Sequence, residues 1–102
     1  VSTLEIQTPL GWPIRFGEER WRIISEIKHP SIAGHRQDII ATLSNPDEIR
    51  RSKSDGNVYL FYRHYKERRW FCAVIKNVDD SGFLITAYRT DAIKAGEVIW
   101  QR

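Results

Sequence analysis

Thr86, Tyr88 and Thr90 stand in strict alternation along the run Gly82 to Thr90, GFLITAYRT. Alternate residues of a strand share one face. The spacing therefore predicts one surface carrying Leu84, Thr86, Tyr88 and Thr90, and a core-facing set of Phe83, Ile85 and Ala87. Hydroxyls aligned on an open sheet face can hydrogen-bond a phosphate or orient a nucleophile. The preceding run, WFCAVIK, shows Trp70, Cys72, Val74 and Lys76 on the face opposite Phe71, Ala73 and Ile75. If the two runs pair, the Lys76 ammonium comes near Thr86 or Tyr88, within reach of one phosphate. The sequence leaves their register open.

His29 adds a group that can move a proton. It falls at the C-terminal end of a predicted first helix, where the dipole favours the protonated imidazole, with Glu26 three residues earlier. Taken as chemistry, this is an acid and base pair; taken as structure, it is a helix-capping histidine beside a solvated carboxylate. Arg50 and Arg51 have a similar double reading. Their guanidiniums could grip phosphate or simply pair with Asp47 and Glu48. His35 reads as a helix-surface residue and His64 as a strand residue of open facing.

The net charge of +3 is modest, but it is unevenly distributed. Residues 58 to 76 carry 5 basic residues against 1 acidic, while each remaining third is close to balance. Arg63, Lys66, Arg68, Arg69 and Lys76 are interleaved there with Tyr59, Phe61, Tyr62, Tyr65, Trp70 and Phe71, the chemistry of a phosphate-binding and base-stacking surface. The plainer reading of Lys66 to Arg69 is a solvated hairpin tip whose charge protects an edge. Arg63 and Lys76 lie inside strands and weigh toward function.

The single cysteine, Cys72, lies in an apolar run, so the chain cannot build a disulfide framework or a cysteine zinc site. A buried free thiol suits a reducing, cytoplasmic setting. With His29, His35 and His64 at no metal-ligand spacing, neither a metal nor any other cofactor is expected. No apolar run reaches the ~18 residues needed to span a bilayer, so no membrane partner is expected.

These residues need elements to position them. At 102 residues the chain is expected to form one domain. Residues 1 to 13 read as an arm or edge strand broken by Pro9, Gly11 and Pro13. Trp21, Ile24 and Ile27, with Ile23, predict a helix from about Gly17 to Lys28, which Pro30 ends. Ser31 can cap a second helix carrying Ile32, Arg36, Ile39, Ile40 and Leu43, closed by Asn45 and Pro46. Asp47 to Ser52 suits a short turn or a strand. Val58 to Tyr65, Trp70 to Val78 and Gly82 to Thr90 read as a three-strand meander with hairpin-length links, and GEVIW could add a strand. The expected class is α+β, with N-terminal helices packed on one face of a C-terminal antiparallel sheet of about four strands.

The order KHPSIAGHRQDIIATLSNPDEIRRS, VYLFYR, WFCAVIK and GFLITAYRTDAIKAGEVIW resembles the small phage- and bacteria-associated domains of the barnase, EndoU, colicin and RelE (BECR) ribonuclease superfamily, over about residues 14 to 100. His29-Pro30, Pro46-Asp47 with Arg50-Arg51-Ser52, Lys76, and Thr86-Ala87-Tyr88 with Thr90 carry the resemblance through their order and spacing. It implies metal-independent RNA cleavage in which a 2′-hydroxyl attacks its own phosphodiester. It assigns His29 as acid or base, Arg51 and Lys76 to the pentavalent phosphate, and Thr86 and Tyr88 to hydrogen-bonding the phosphate or orienting the nucleophile. Arg50, Arg63, Lys66, Arg68 and Arg69 become RNA-binding residues. A toxin or phage effector of this kind would need an antitoxin or immunity protein, acidic because the site is basic. Two other classes fit the same residues. One is a non-catalytic module that holds RNA; the other is a protein-interaction domain anchored by Trp12, Trp70 and Trp100. The sequence specifies no oligomeric state.

Overall fold

The computed structural model describes residues 3–94 and 96–102. Strands β1 (Thr3–Gln7), β2 (Pro13–Gly17), β3 (Glu48–Ser52), β4 (Val58–Lys66), β5 (Arg69–Val78), β6 (Ser81–Thr90) and β7 (Gly96–Gln101) form one seven-stranded sheet in the order β1-β2-β6-β5-β4-β3-β7. Neighbouring strands are antiparallel except β2 and β6, which run parallel. This overturns the expected α+β plan of N-terminal helices followed by a sheet of about four strands. The opening segment LEIQTPLGWPIRF is itself a hairpin: Pro9 and Gly11 fall in its turn, and Pro13 sits at the start of β2. Proline is tolerated there because a first strand residue can dispense with an N–H. EIRRS is a strand as well, with β7 closing the far edge beside it.

Two short helices, α1 (Glu18–Ile23) and α2 (Arg36–Ser44), lie between β2 and β3. The stripe that predicts a helix to Lys28 is met by α1 and a π-helical turn over Ile24–Lys28, with His29 as the next residue. Ser31 does not cap α2. It sits within the 3-10 turn Pro30–Ile32, and His35 precedes the helix instead.

The sheet has unlike faces. On one, Ile24, Ile32, Ile39 and Leu43 from the helical segment pack with Ile14, Phe16, Ile49, Phe61, Phe71, Ala73, Ile75, Leu84 and Ala87. This is the main core, and its burial supplies most of the driving force for folding. The other face holds a smaller cluster of Leu60, Tyr62 and Cys72, flanked by Trp70, Val74, Tyr88 and Ile93. Ile93 belongs to the link from β6 to β7, which crosses this second face because β7 lies on the far side of β5, β4 and β3.

A β-bulge in β6 fixes which residues reach that second face. Val74 pairs with Thr86, yet Ile75 pairs with Leu84, leaving Ile85 as the extra residue. An extra residue shifts the alternation by one. Leu84 and Ala87 therefore both enter the main core, while Phe83, opposite Lys76, turns to the other side with Thr86 and Tyr88. The expected core set Phe83, Ile85 and Ala87 is corrected to Leu84 and Ala87.

No helix among the described residues is long and apolar enough to cross a membrane.

Candidate functional site

Register places Val58, Leu60 and Tyr62 of β4, Cys72, Val74 and Lys76 of β5, and Thr86 and Tyr88 of β6 on the second face. Over this floor lies a cleft of about 400 Å³ lined by Ser52, Lys53, Ser54, Val58, Leu60, Val74, Thr86, Tyr88 and Lys94. The β3–β4 loop forms one wall. The β6–β7 link forms the other and is tied down at several points: the Lys94 N–H donates to the Tyr62 hydroxyl at 3.1 Å, and Arg50 Nη1 donates to the Lys94 carbonyl at 3.4 Å. Arg50 in turn is held by Glu48, a mostly buried carboxylate on the same face.

The floor carries two buried oxygens that are poorly partnered. Thr86 Oγ1 and Tyr88 Oη are shielded from solvent; Thr86 Oγ1 makes no hydrogen bond within the protein, and Tyr88 Oη has only the Cys72 thiol, a weak hydrogen-bonding group, beside it. Leaving a buried hydroxyl unpaired costs about 1–3 kcal/mol, so each such group needs an explanation in the fold or in a ligand. The Lys94 ammonium lies 5.6 Å from the centre of the Tyr88 ring, and Lys53 is exposed on the loop wall. The combination of hydroxyl donors on an apolar floor with lysines at the rim suits an anionic ligand.

His29 reaches this face. Its imidazole lies against the Tyr88 ring, with centroids 5.4 Å apart and planes at 49°. The cause is the short β2–β6 pairing, which covers only Gly82 and Phe83 of β6. Beyond Phe83 that edge lacks a partner strand, and the turn Pro30–Ile32 packs against β6. His29 is placed by its own N–H, which donates to the Ile24 carbonyl at 2.8 Å and closes the π-helical turn. Glu26 does not join it; its carboxylate pairs with Arg22 at 3.7 Å.

The other sequence-predicted residues distribute as follows. Lys76 shares the face of Thr86, and its ammonium lies 3.7 Å from the Asp55 carboxylate in the β3–β4 turn. Arg51 sits on the opposite, helix-packed side of the sheet, beside Tyr59, and its guanidinium is 3.5 Å from Glu97. Arg50 is therefore the member of the arginine pair that faces the cleft side. Arg63 also points to the helix-packed side, 3.8 Å from Asp38. Lys66, Arg68 and Arg69 are exposed around the β4–β5 turn. His35 bonds Asp38 at 2.9 Å, and His64 contacts the Glu67 carbonyl.

Burial shapes the titration of the floor. It pushes the Cys72 thiol up to about 12 and the Tyr62 hydroxyl up to about 12. Tyr88 is raised as well, by burial first and then by neighbouring Cys72. These groups are therefore neutral near neutral pH, and the tyrosines can donate hydrogen bonds.

Sequence reasoning missed Lys53, Lys94 and Ser54, and it names Ser52 only within the Arg50-Arg51-Ser52 piece of the resemblance. SKSDGN reads as a polar connector and DAIKAG as the link to a last strand, so neither announces a wall. The available signal was topological: a strand after β6 that must pair beyond β3 forces the intervening link across the sheet. Among the described residues, no group of three or more His, Cys, Asp or Glu side chains is arranged to hold a metal ion. No family model, curated protein or solved structure matches the chain.

Proposed function

We propose that the chain is an endoribonuclease acting without a metal ion, in which the lysine-rimmed cleft holds an RNA phosphodiester and His29 transfers a proton at its edge. The observation that carries this reading is the contact of His29 with Tyr88, whose buried hydroxyl shares the cleft floor with that of Thr86. In this reaction the 2′-oxygen of a ribose attacks the adjacent phosphorus and the bond to the 5′-oxygen breaks. The products are a 2′,3′-cyclic phosphate and a free 5′-hydroxyl. One proton leaves the nucleophile and one reaches the leaving oxygen, and His29 handles one of these transfers. Thr86 and Tyr88 donate to the phosphoryl oxygens, and Lys94 and Lys53 offset the charge that develops on them. Arg51 has no part in this arrangement, since it lies across the sheet. Lys76 contributes from the far end of the floor, tempered by Asp55. The role of toxin or phage effector, with an acidic antitoxin or immunity protein as partner, belongs to the same proposal.

The test is incubation of purified protein with total RNA in the presence of a chelator, followed by analysis of the fragment ends. Fragments ending in 2′,3′-cyclic phosphate are expected. Intact RNA, or cleavage that needs an added divalent cation, would overturn the proposal.

A second reading has its own support: the cleft lining contains neither a carboxylate nor an imidazole, with His29 reaching it only through Tyr88. A non-catalytic RNA-holding module fits that lining, and salt-sensitive binding of RNA that stays intact would favour it.

A further inference from the structure

A second cationic recess lies on the other side of the His29–Tyr88 contact. Ser31, Tyr65, Lys66, Arg69 and Arg89 line a polar space of about 470 Å³. Arg89 follows Tyr88 on β6 and, being opposite Phe71, points to the helix-packed side. Ser31 follows His29 by two residues and sits in the turn that packs against β6. Lys66 and Arg69 come from the end of the β4–β5 hairpin, where a bulge at Tyr65 brings Lys66 opposite Arg69 on the helix-packed side, and the Tyr65 ring stacks on Phe71, centroids 4.3 Å apart. Among the described residues, neither Lys66, Arg69 nor Arg89 has a carboxylate within ion-pair distance, and no acidic residue lines the recess. Two neighbouring cations on the helix-packed side are compensated, Arg63 by Asp38 and Arg36 by Glu18, whereas Arg68 in the hairpin turn has no ion pair among the described residues and does not line the recess.

Uncompensated positive charges converging on one recess with a serine and a tyrosine hydroxyl form an anion site by composition and geometry. Because Tyr88 and Arg89 are consecutive, and His29 and Ser31 nearly so, the recess and the cleft meet at the β6 edge where His29 sits. We infer that the recess is a second phosphate subsite for single-stranded RNA, holding backbone phosphates that flank the one in the cleft, with Arg89 and Arg69 as its principal contacts. This rests on the cleft as an RNA site. It adds a substrate class: a strand several nucleotides long that bends around the β6 edge, in preference to a dinucleotide or a duplex. Duplex RNA is too stiff to pass around that edge and presents its phosphates on a fixed A-form helix.

The experiment measures binding of 2′-O-methyl oligonucleotides, which lack the attacking hydroxyl and cannot be cleaved by this route. A dinucleotide and a longer single strand are compared across a salt series. In Arg69→Gln/Arg89→Gln protein, affinity for the longer strand is expected to fall about tenfold, and the salt slope to drop by about 1.4 for two lost phosphate contacts. Dinucleotide binding should stay as in wild type, and Arg69→Lys/Arg89→Lys should recover most of the loss. Equal affinity and slope for wild type and the Gln variant would overturn the subsite. So would a wild-type protein that ignores the oligonucleotide yet binds anionic lipid vesicles. A wild type that binds with the expected slope but leaves unmodified RNA intact would sink the ribonuclease proposal and uphold this one.

Discussion

The His29 imidazole and the Tyr88 phenol ring pack 5.4 Å apart, joining the helical segment to the face of the sheet that the helices do not cover. Three features make this contact. The proline after His29 ends the π-helical turn, the outer edge of β6 has no partner strand beyond Phe83, and Tyr88 pairs with Cys72 on the cleft side. His29 supplies proton transfer in the proposed reaction, and positioned acid or base groups are worth about 10²–10⁴-fold. His29→Ala should lower the rate of RNA cleavage by about that factor while oligonucleotide affinity changes little. A rate equal to wild type, measured with a chelator present, would remove His29 from the mechanism.

The hydroxyls of Thr86 and Tyr88 lend themselves to a test that separates a ligand role from a structural one. Both are buried, Thr86 Oγ1 without a partner and Tyr88 Oη with only the weakly bonding Cys72 thiol, so deleting them while keeping shape should relieve a penalty. Thr86→Val and Tyr88→Phe are expected to leave the thermal midpoint unchanged or raise it, with a stability gain of up to about 1 kcal/mol. RNA binding and cleavage should fall together. Destabilised variants with normal activity would point to a structural role for the hydroxyls instead.

The sequence shows the meander from Val58 to Thr90 clearly, because hairpin-length links and alternation are local signals. That Thr86 and Tyr88 share one face is legible for the same reason, but the burial of their hydroxyls under the β6–β7 link is not. The bulge at Ile85 leaves no local mark, since nothing in GFLITAYRT shows which residue is extra, and alternation alone puts Leu84 and Phe83 on the wrong faces. The reading of residues 1 to 13 as an arm or edge strand stops short of the β1–β2 hairpin, because Pro9 and Pro13 weaken a strand signal even where they fall in a turn or at a strand start. The facing of Arg50 and Arg51 depends on how β3 pairs with β4, which is a long-range property. Lys94 reaches the cleft because of where β7 docks, and no local pattern encodes that.

Cys72 links stability to pH. Its thiol is raised from an ordinary value of 9.0 to about 12 in the folded chain, chiefly by burial. Above pH ~9 the unfolded chain sheds this proton while the folded chain keeps it, so the unfolded state binds fewer protons and stability falls as pH rises. Tyr62, raised from 10.0 to about 12, acts in the same direction. The thermal midpoint should therefore decline between pH 9 and 12, and Cys72→Ala should decline less steeply over that range. The thiol should also resist alkylation in native protein and react on unfolding. Rapid native labelling, or a midpoint flat across this range, would contradict the assigned burial.

Gly96 begins β7 against a tight backbone contact: a Cβ there would lie 2.6 Å from the Arg51 carbonyl oxygen. Backbone cannot yield as a flexible side chain can, so Gly96→Ala must push the start of β7 away from β3. β7 receives the link that carries Ile93 over Tyr62 and Cys72 and Lys94 over Tyr88. Displacing it should loosen the cleft wall as well as the sheet edge. A loss of about 1–3 kcal/mol in urea unfolding is expected, in the range for overpacked sites. Faster amide exchange at Lys94, whose N–H bonds the Tyr62 hydroxyl, should accompany it. RNA cleavage should fall by more than the lost folded fraction explains, because Lys94 leaves the phosphate site. If the folded fraction accounts for the whole loss, the link is merely a connection and the cleft does not depend on it.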